Sequence, residues 1–180
     1  MRNLLLASLV ALSTTGCNGV EPELYALVLP FFTLPDNCYL NNAQPSNVTV
    51  QDSPSLLNVQ VWDGPEQTAI LEIESGLRTI DMGDAPNITL TGLLTGKRGT
   101  GGWTFTHQGS DKSTQVGRTI TDDTKVEFTF ERGQSFKGTA ALSSTRSCAG
   151  STCMGTQPSC NVSGINITGT RFAVKYERGP

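Results

Sequence analysis

Between residues 124 and 132 the side chains alternate without a fault, Val126, Phe128 and Phe130 against Glu127, Thr129 and Glu131. A two-residue period sends successive side chains to opposite faces of an extended chain, so this stretch has one apolar face to bury. The same period returns at residues 57–62, with Leu57, Val59 and Val61 on one side, and at residues 102–107, with Trp103, Phe105 and His107. It returns again at residues 170–177, with Phe172, Val174 and Tyr176. Residues 47–51, 78–82, 87–95, 135–144 and 162–168 read as further strands. Asp63-Gly64-Pro65 and the glycine-rich run 97–102 supply turn chemistry between them. No long stretch keeps a helical period. About ten short strands at near-regular spacing predict an all-β domain, either a single antiparallel β-sandwich or a small up-and-down barrel.

Two segments have rival readings. Residues 68–74 place Ala69, Leu71 and Ile73 on one face, as a strand would. They also fit a short helix, with Asp63 as N-cap, Glu66 three residues later and Gly76 as stop. Strand is preferred, because the alternation is clean and the neighbours are strands. Residues 24–32 (L-Y-A-L-V-L-P-F-F) are strongly apolar, and Pro30 and Pro35 argue against a helix. They read as an edge strand or extended plug with a face in the core, and in second place as a membrane-surface or partner-docking patch.

The N-terminus carries an address. Arg2 is followed by an apolar run from Leu4 to Leu12, then by Ser13-Thr14-Thr15-Gly16-Cys17. A charged start, a short apolar core and small residues before a cut are the layout of a secretory signal. The run falls well short of the roughly 20 apolar residues that span a bilayer. The small residues ending in Gly16-Cys17 resemble the lipobox of bacterial lipoproteins, with Thr14 where that family usually has Leu. The resemblance covers residues 1–17. It implies that residues 1–16 are removed and that Cys17 is acylated on its sulfur and then on its amine. It also implies an outer-membrane address, since Asn18 rather than Asp follows the cysteine. More than one acyl chain anchors stably, at about 0.8 kcal/mol per buried CH₂. Residues 17–23 would then be a lipidated Cys and short tether, and residues 24–180 the single β domain.

Charge narrows the partners. The chain has 13 Lys and Arg against 16 Asp and Glu, and losing Arg2 leaves 12 against 16. Lys97-Arg98 is the one adjacent basic pair. Nucleic acid therefore lacks its electrostatic footprint, and so does an anionic membrane surface, which leaves the lipid as the anchor.

Five cysteines are present, and lipidation of Cys17 leaves Cys38, Cys148, Cys153 and Cys160. An even number in an exported chain reads as two disulfides, with three connectivities open. Three of the four sit between Ser147 and Cys160, in a stretch too poor in apolar residues to order itself by burial. One bridge is expected to close that loop locally and the other to tie Cys38 to the C-terminal strands. The competing metal site lacks the Cys-x₂-Cys pairs usual for structural zinc. Hairpins followed by a Cys-pinned loop before the last strands resemble lipocalin-type barrels in architecture. Trp62 and Trp103 lie too deep for that family's N-terminal tryptophan signature.

Catalytic chemistry finds little to stand on. His107 is the only histidine, and no Gly-x-Ser-x-Gly elbow accompanies it. Its expected place is exposed at a strand end, beside a turn at Gln108-Gly109-Ser110. Asp81 with Asp84, Asp122 with Asp123, and Glu72 with Glu74 are the candidate carboxylate pairs for glycoside hydrolysis or calcium. The first two read as turns, and neither matches the EF-hand loop. Asn47, Asn87, Asn161 and Asn166 open Asn-x-Ser/Thr sequons, which a Thr-rich β sequence produces of itself in a bacterial chain. The expectation is a non-enzymatic envelope lipoprotein with a structural or partner-binding β domain and no cofactor. A carrier of a small apolar ligand is the alternative, with Trp103, Phe105, Phe128, Phe130, Phe172 and Tyr176 as its lining or, equally, its core. An enzyme acting on envelope polysaccharide comes last.

Overall fold

The computed structural model describes residues 22–45, 55–73, 78–90, 92–131 and 133–172. The signal and lipobox expected at residues 1–17, the strand expected at 47–51, Glu74 and Tyr176 lie outside them. Among the described residues ten strands form: β1 Glu23–Leu29, β2 Ser55–Asp63, β3 Thr68–Ile73, β4 Arg78–Ile80, β5 Ile88–Leu90, β6 Leu93–Arg98, β7 Gly102–Gln115, β8 Arg118–Glu131, β9 Ser135–Ala149 and β10 Ser159–Phe172. Eight close into an antiparallel barrel in the order β1-β10-β9-β8-β7-β6-β3-β2, and β4 and β5 form a separate two-stranded sheet. The all-β expectation holds, and the barrel rather than the sandwich is the form it takes.

Closure follows from the alternation. Tyr25, Leu27 and Leu29 of β1, Leu57, Val59 and Val61 of β2, and Ala69, Leu71 and Ile73 of β3 all point inward and are buried. The β3 segment is thus a strand, and its helical rival fails locally. Glu66 and Gln67 adopt positive φ within the 3₁₀ turn Pro65–Gln67, and the N-cap position of that turn is Gly64. Residues 24–32 are not an edge: β1 pairs with both β2 and β10 and completes the barrel. A closed barrel leaves no edge over the paired residues, which removes the hazard of an exposed apolar strand.

Large and small side chains alternate around the inner wall. Phe105 lies opposite Gly96, Phe128 opposite Ala140, and Phe130 opposite Gly138. A Cβ on Gly96 would sit 2.4 Å from Phe105 Cδ1, and one on Gly138 would sit 2.6 Å from Phe130 Cβ and 2.3 Å from Thr129 O. The rings occupy the space that those glycines vacate, which is how a small barrel fills its interior.

Four of the strands are far longer than expected. β6 pairs with β7 only over Thr95–Arg98, opposite Trp103–Thr106. β7 nonetheless continues through residues 107–115, roughly 30 Å further along the strand. β8 stays paired with it as far as Gln115↔Arg118, and β9 stays paired with β8 as far as Thr119↔Ala149. Gln108-Gly109-Ser110 and Asp122-Asp123, expected as turns, are therefore mid-strand. Residues 162–168 and 170–172, expected in two strands, belong to one strand, β10, with a bulge between Val162 and Ile165 where Gly164 has φ +70°; residues 173–177 lie outside the described residues. The single strand expected at 87–95 is instead two, β5 and β6, broken at Gly92 with φ +44°.

The extension of β7 is exposed from Ser110 to Gln115, and a cover lies instead against β8, β9 and β10. Two short 3₁₀ turns, Asp36–Cys38 and Leu40–Asn42, and the β4–β5 hairpin bring Cys38, Tyr39, Met82, Ala85, Ile88 and Leu90 into the same core as the barrel residues. Ser144, buried on β9, donates its hydroxyl to Pro86 O.

Candidate functional site

Four of the aromatic residues expected on one face lie in the core. Trp103, Phe105, Phe128 and Phe130 are each at most 2% exposed. Trp103 meets Tyr25 and Phe130 edge-on, at centroid distances of 6.0 and 5.7 Å, and Phe105 lies 5.5 Å from Phe130. Phe172 departs from the expectation: it is 48% exposed. The reason is parity, because Ile165 and Ile167 are the buried residues of β10 and Phe172 falls on the opposite face. Tyr25 also belongs to this cluster, and the alternation of residues 24–29 is the sequence signal for it.

The barrel end where β1 begins is polar. Asp63 accepts the indole N–H of Trp103 at 2.8 Å and a guanidinium N–H of Arg98 at 3.1 Å. Glu23 accepts the Tyr25 hydroxyl and lies 3.6 Å from Arg171. These contacts satisfy the polar tips of aromatic side chains whose bodies are in the core, a structural task.

Both disulfides form as the composition suggested. Cys38–Cys160 joins the 3₁₀ turn to the start of β10, with both cysteines fully buried. Cys148–Cys153 closes the end of β9 onto the following loop. That loop and the β7–β8 turn form the far tip of the molecule. Thr152 N–H donates to Gly117 O at 3.3 Å, and Gly117 takes φ +81° at the turn. Val116 is 100% exposed there and Met154 84%.

His107 is half-buried on β7 rather than at a strand end. Asp122 and Asp123 alternate across β8 and so cannot act as one pair. Asp122 is bound by Arg146 through two bonds of 2.8 Å each, on directly opposed residues of β8 and β9. This bond raises the Arg146 pKa, outweighing the burial that lowers it. Asp111 stands opposite Asp122 on β7, a pairing that no sequence spacing discloses. Outside the barrel wall, an open depression of about 320 Å³ is lined by Gln108, Ser110, Asp123, Lys125, Ser143 and Thr145, all polar.

The Asp81-Met82-Gly83-Asp84 segment is a turn, as expected. Asp81 Oδ1 accepts Gly83 N–H at 2.9 Å, and Asp84 Oδ2 accepts Leu40 N–H at 3.0 Å. Asp84 and Ala85 N–H both donate to Cys38 O, at 3.0 and 3.1 Å. Gly83 has φ +72°, and the space its Cβ would take lies 2.9 Å from Tyr39 Cε1 and 3.1 Å from Cζ. The Tyr39 ring is thus pressed into the turn, 3% exposed, and its hydroxyl has no hydrogen-bond partner. Burial raises its pKa. The nearby Gln44 amide, outside hydrogen-bond geometry, offsets that in part, and Asp81 and Asp84 raise it further.

Fold and bridges together define a disulfide-linked, eight-stranded antiparallel barrel with buried aromatic side chains in its core. No family model matches the chain, and no curated protein or solved structure proved similar to it.

Proposed function

We propose that the chain matures into a non-enzymatic lipoprotein of the bacterial cell envelope, probing or bracing a protein partner with the tip of its long strands. The observation that carries this reading is polarity along the barrel. β1 starts at Glu23, six residues after Cys17, at the end opposite the β7–β8 turn. Six extended residues reach about 20 Å at most, so a lipid on Cys17 keeps the Glu23 end near the membrane. The tip with Val116 and Met154 then stands farthest from the bilayer, held by the Cys148–Cys153 bridge. Exposed apolar side chains on a cross-linked support lose little entropy on binding, which suits a contact surface.

A carrier of apolar ligands is the weaker reading. Its lining would be the buried rings, and Gly96 and Gly138 leave no room for even a Cβ beside Phe105 and Phe130.

Two measurements test the proposal. Metabolic labelling with a radioactive fatty acid should mark the wild-type protein and leave Cys17→Ala unlabelled and released from the membrane fraction. Photo-crosslinkers placed at Val116 and Met154 in living cells should give the same discrete adduct, absent when the probe sits at the exposed Thr139 of the barrel wall. Labelling that survives Cys17→Ala would sink the anchor, and identical adducts from all three positions would sink the tip.

A further inference from the structure

We propose that the Asp81–Asp84 turn and Tyr39 together form a binding site for one hard divalent cation of calcium size. Two carboxylates in a turn are common and prove nothing alone, since Asp caps backbone groups in such places. The second observation is Tyr39. Its hydroxyl oxygen is buried and unpartnered, while its ring lies against Gly83, which stands between the two aspartates in sequence. A buried phenol oxygen without a partner costs free energy comparable to a lost hydrogen bond, and native structures rarely leave one so. Asp81 and Asp84 both bear on this oxygen electrostatically, and the Gln44 side chain is the other polar group near it. A cation satisfies the phenol and both carboxylates at once.

The donor set fits a hard ion. Asp81 and Asp84 each spend one carboxylate oxygen on a backbone N–H, and Asp81 Oδ2 and Asp84 Oδ1 make no hydrogen bond among the described residues. Both aspartates are exposed. Oxygen-only ligands select calcium or magnesium over softer metals, and the irregular arrangement of two loops favours the more tolerant calcium. Among the described residues no group of three or more His, Cys, Asp and Glu could hold a metal. With only two carboxylates the affinity belongs in the weak range of extracellular modules, a Kd of about 10⁻⁴–10⁻³ M.

The site also has a structural consequence. It joins the segment that holds Cys38 and Tyr39 to the turn before β5, so the bound ion would fasten the cover over the extended strands.

The test uses the purified, fully oxidised protein, calcium chloride in a calorimeter and terbium as a luminescent substitute. Wild type should bind one calcium ion in the stated range, and terbium emission should appear on excitation of tyrosine. Asp81→Asn and Asp84→Asn should each weaken calcium at least tenfold. An Asn Oδ1 still accepts the Gly83 and Leu40 N–H groups, so the thermal midpoint in chelator should stay with wild type. Tyr39→Phe should cut the terbium emission and weaken calcium as well. If an Asn variant lowers that midpoint, the Tyr39→Phe comparison decides. No calcium heat at 10-fold above the stated range, or unchanged binding in the Asn and Phe variants, would overturn the site.

Discussion

The two disulfides ought to differ sharply in what they contribute, and loop length sets the difference. Cys38–Cys160 spans a sequence separation of 122, Cys148–Cys153 one of 5. In the chain-entropy description, cross-linking removes about 2.1 + 1.5R ln n cal/mol/K from the unfolded ensemble. At 25 °C that gives roughly 4.9 kcal/mol for the long loop and about 2.1 kcal/mol for the short one. The gap of about 2.8 kcal/mol does not depend on the constant. Packing pushes in the same direction, because Cys38 and Cys160 are fully buried and an Ala pair leaves a void there. Cys148 and Cys153 are only half-buried.

The assay is equilibrium urea unfolding of Cys38→Ala/Cys160→Ala and of Cys148→Ala/Cys153→Ala against wild type, followed by tryptophan fluorescence. Trp103 is 1% exposed and reports the loss of the core directly. The long-loop variant should lose the greater stability and show the larger rise in urea m-value, because its unfolded chain expands most. Losses equal within about 0.5 kcal/mol, or a greater loss for the short loop, would refute loop entropy as the main source of the difference.

Gly138→Ala forces a Cβ onto the Thr129 carbonyl and Phe130 backbone, which cannot rotate away; it should cost about 1–3 kcal/mol by thermal unfolding. Gly101→Ala, whose Cβ meets nothing within 4 Å, should stay within about 0.5 kcal/mol of wild type. Phe128→Ala should cost about 3–5 kcal/mol in the same measurement, since the ring is 1% exposed. Tyr39 has its pKa raised by burial first, so the folded state holds that proton longer than the unfolded one. Stability is then full below about pH 10 and falls as pH rises beyond it. In chelator, alkaline unfolding curves of Tyr39→Phe should lack that share of the fall.

The barrel could be read from the sequence wherever one face is buried. Val126, Phe128 and Phe130, or Leu57, Val59 and Val61, show the period because polar and apolar faces differ in fate. Residues 108–115 and 118–125 show no such contrast. They lie beyond the β6 pairing, where both faces carry Gln, Ser, Asp, Lys and Thr, and a strand without a buried face has no two-residue hydrophobic signal. What holds it is the backbone ladder to β8 and β9 and cross-strand pairs such as Asp122 with Arg146, whose partner lies 24 residues away. Chain breaks are hard to place for a related reason. Gly109 resembles a turn glycine, but it leaves room for the Thr124 hydroxyl, which bonds its carbonyl. Gly92 and Gly164 adopt positive φ and do break or bulge the chain, and nothing local separates them from Gly109.

The candidate site was legible only in parts, for a reason that bears on function. The cysteine count gave two bridges, and the poor composition around Cys148 gave the local one. Asp81 and Asp84 were visible as a pair. Tyr39 was not, because it reaches them from a segment 42 residues earlier and only the fold presses its ring against Gly83. The Cys38–Cys160 bridge is what fixes that segment: Cys38 is adjacent to Tyr39, and its carbonyl takes the Asp84 and Ala85 N–H groups. Bridge and turn are thus one device. Breaking the bridge should loosen the Tyr39 ring as well as the chain ends, so Cys38→Ala/Cys160→Ala ought to lose calcium binding while Cys148→Ala/Cys153→Ala keeps it. The tip with Val116 and Met154 should answer in reverse. Its own bridge holds it, so crosslinking there should fade in the short-loop variant before any change at the turn.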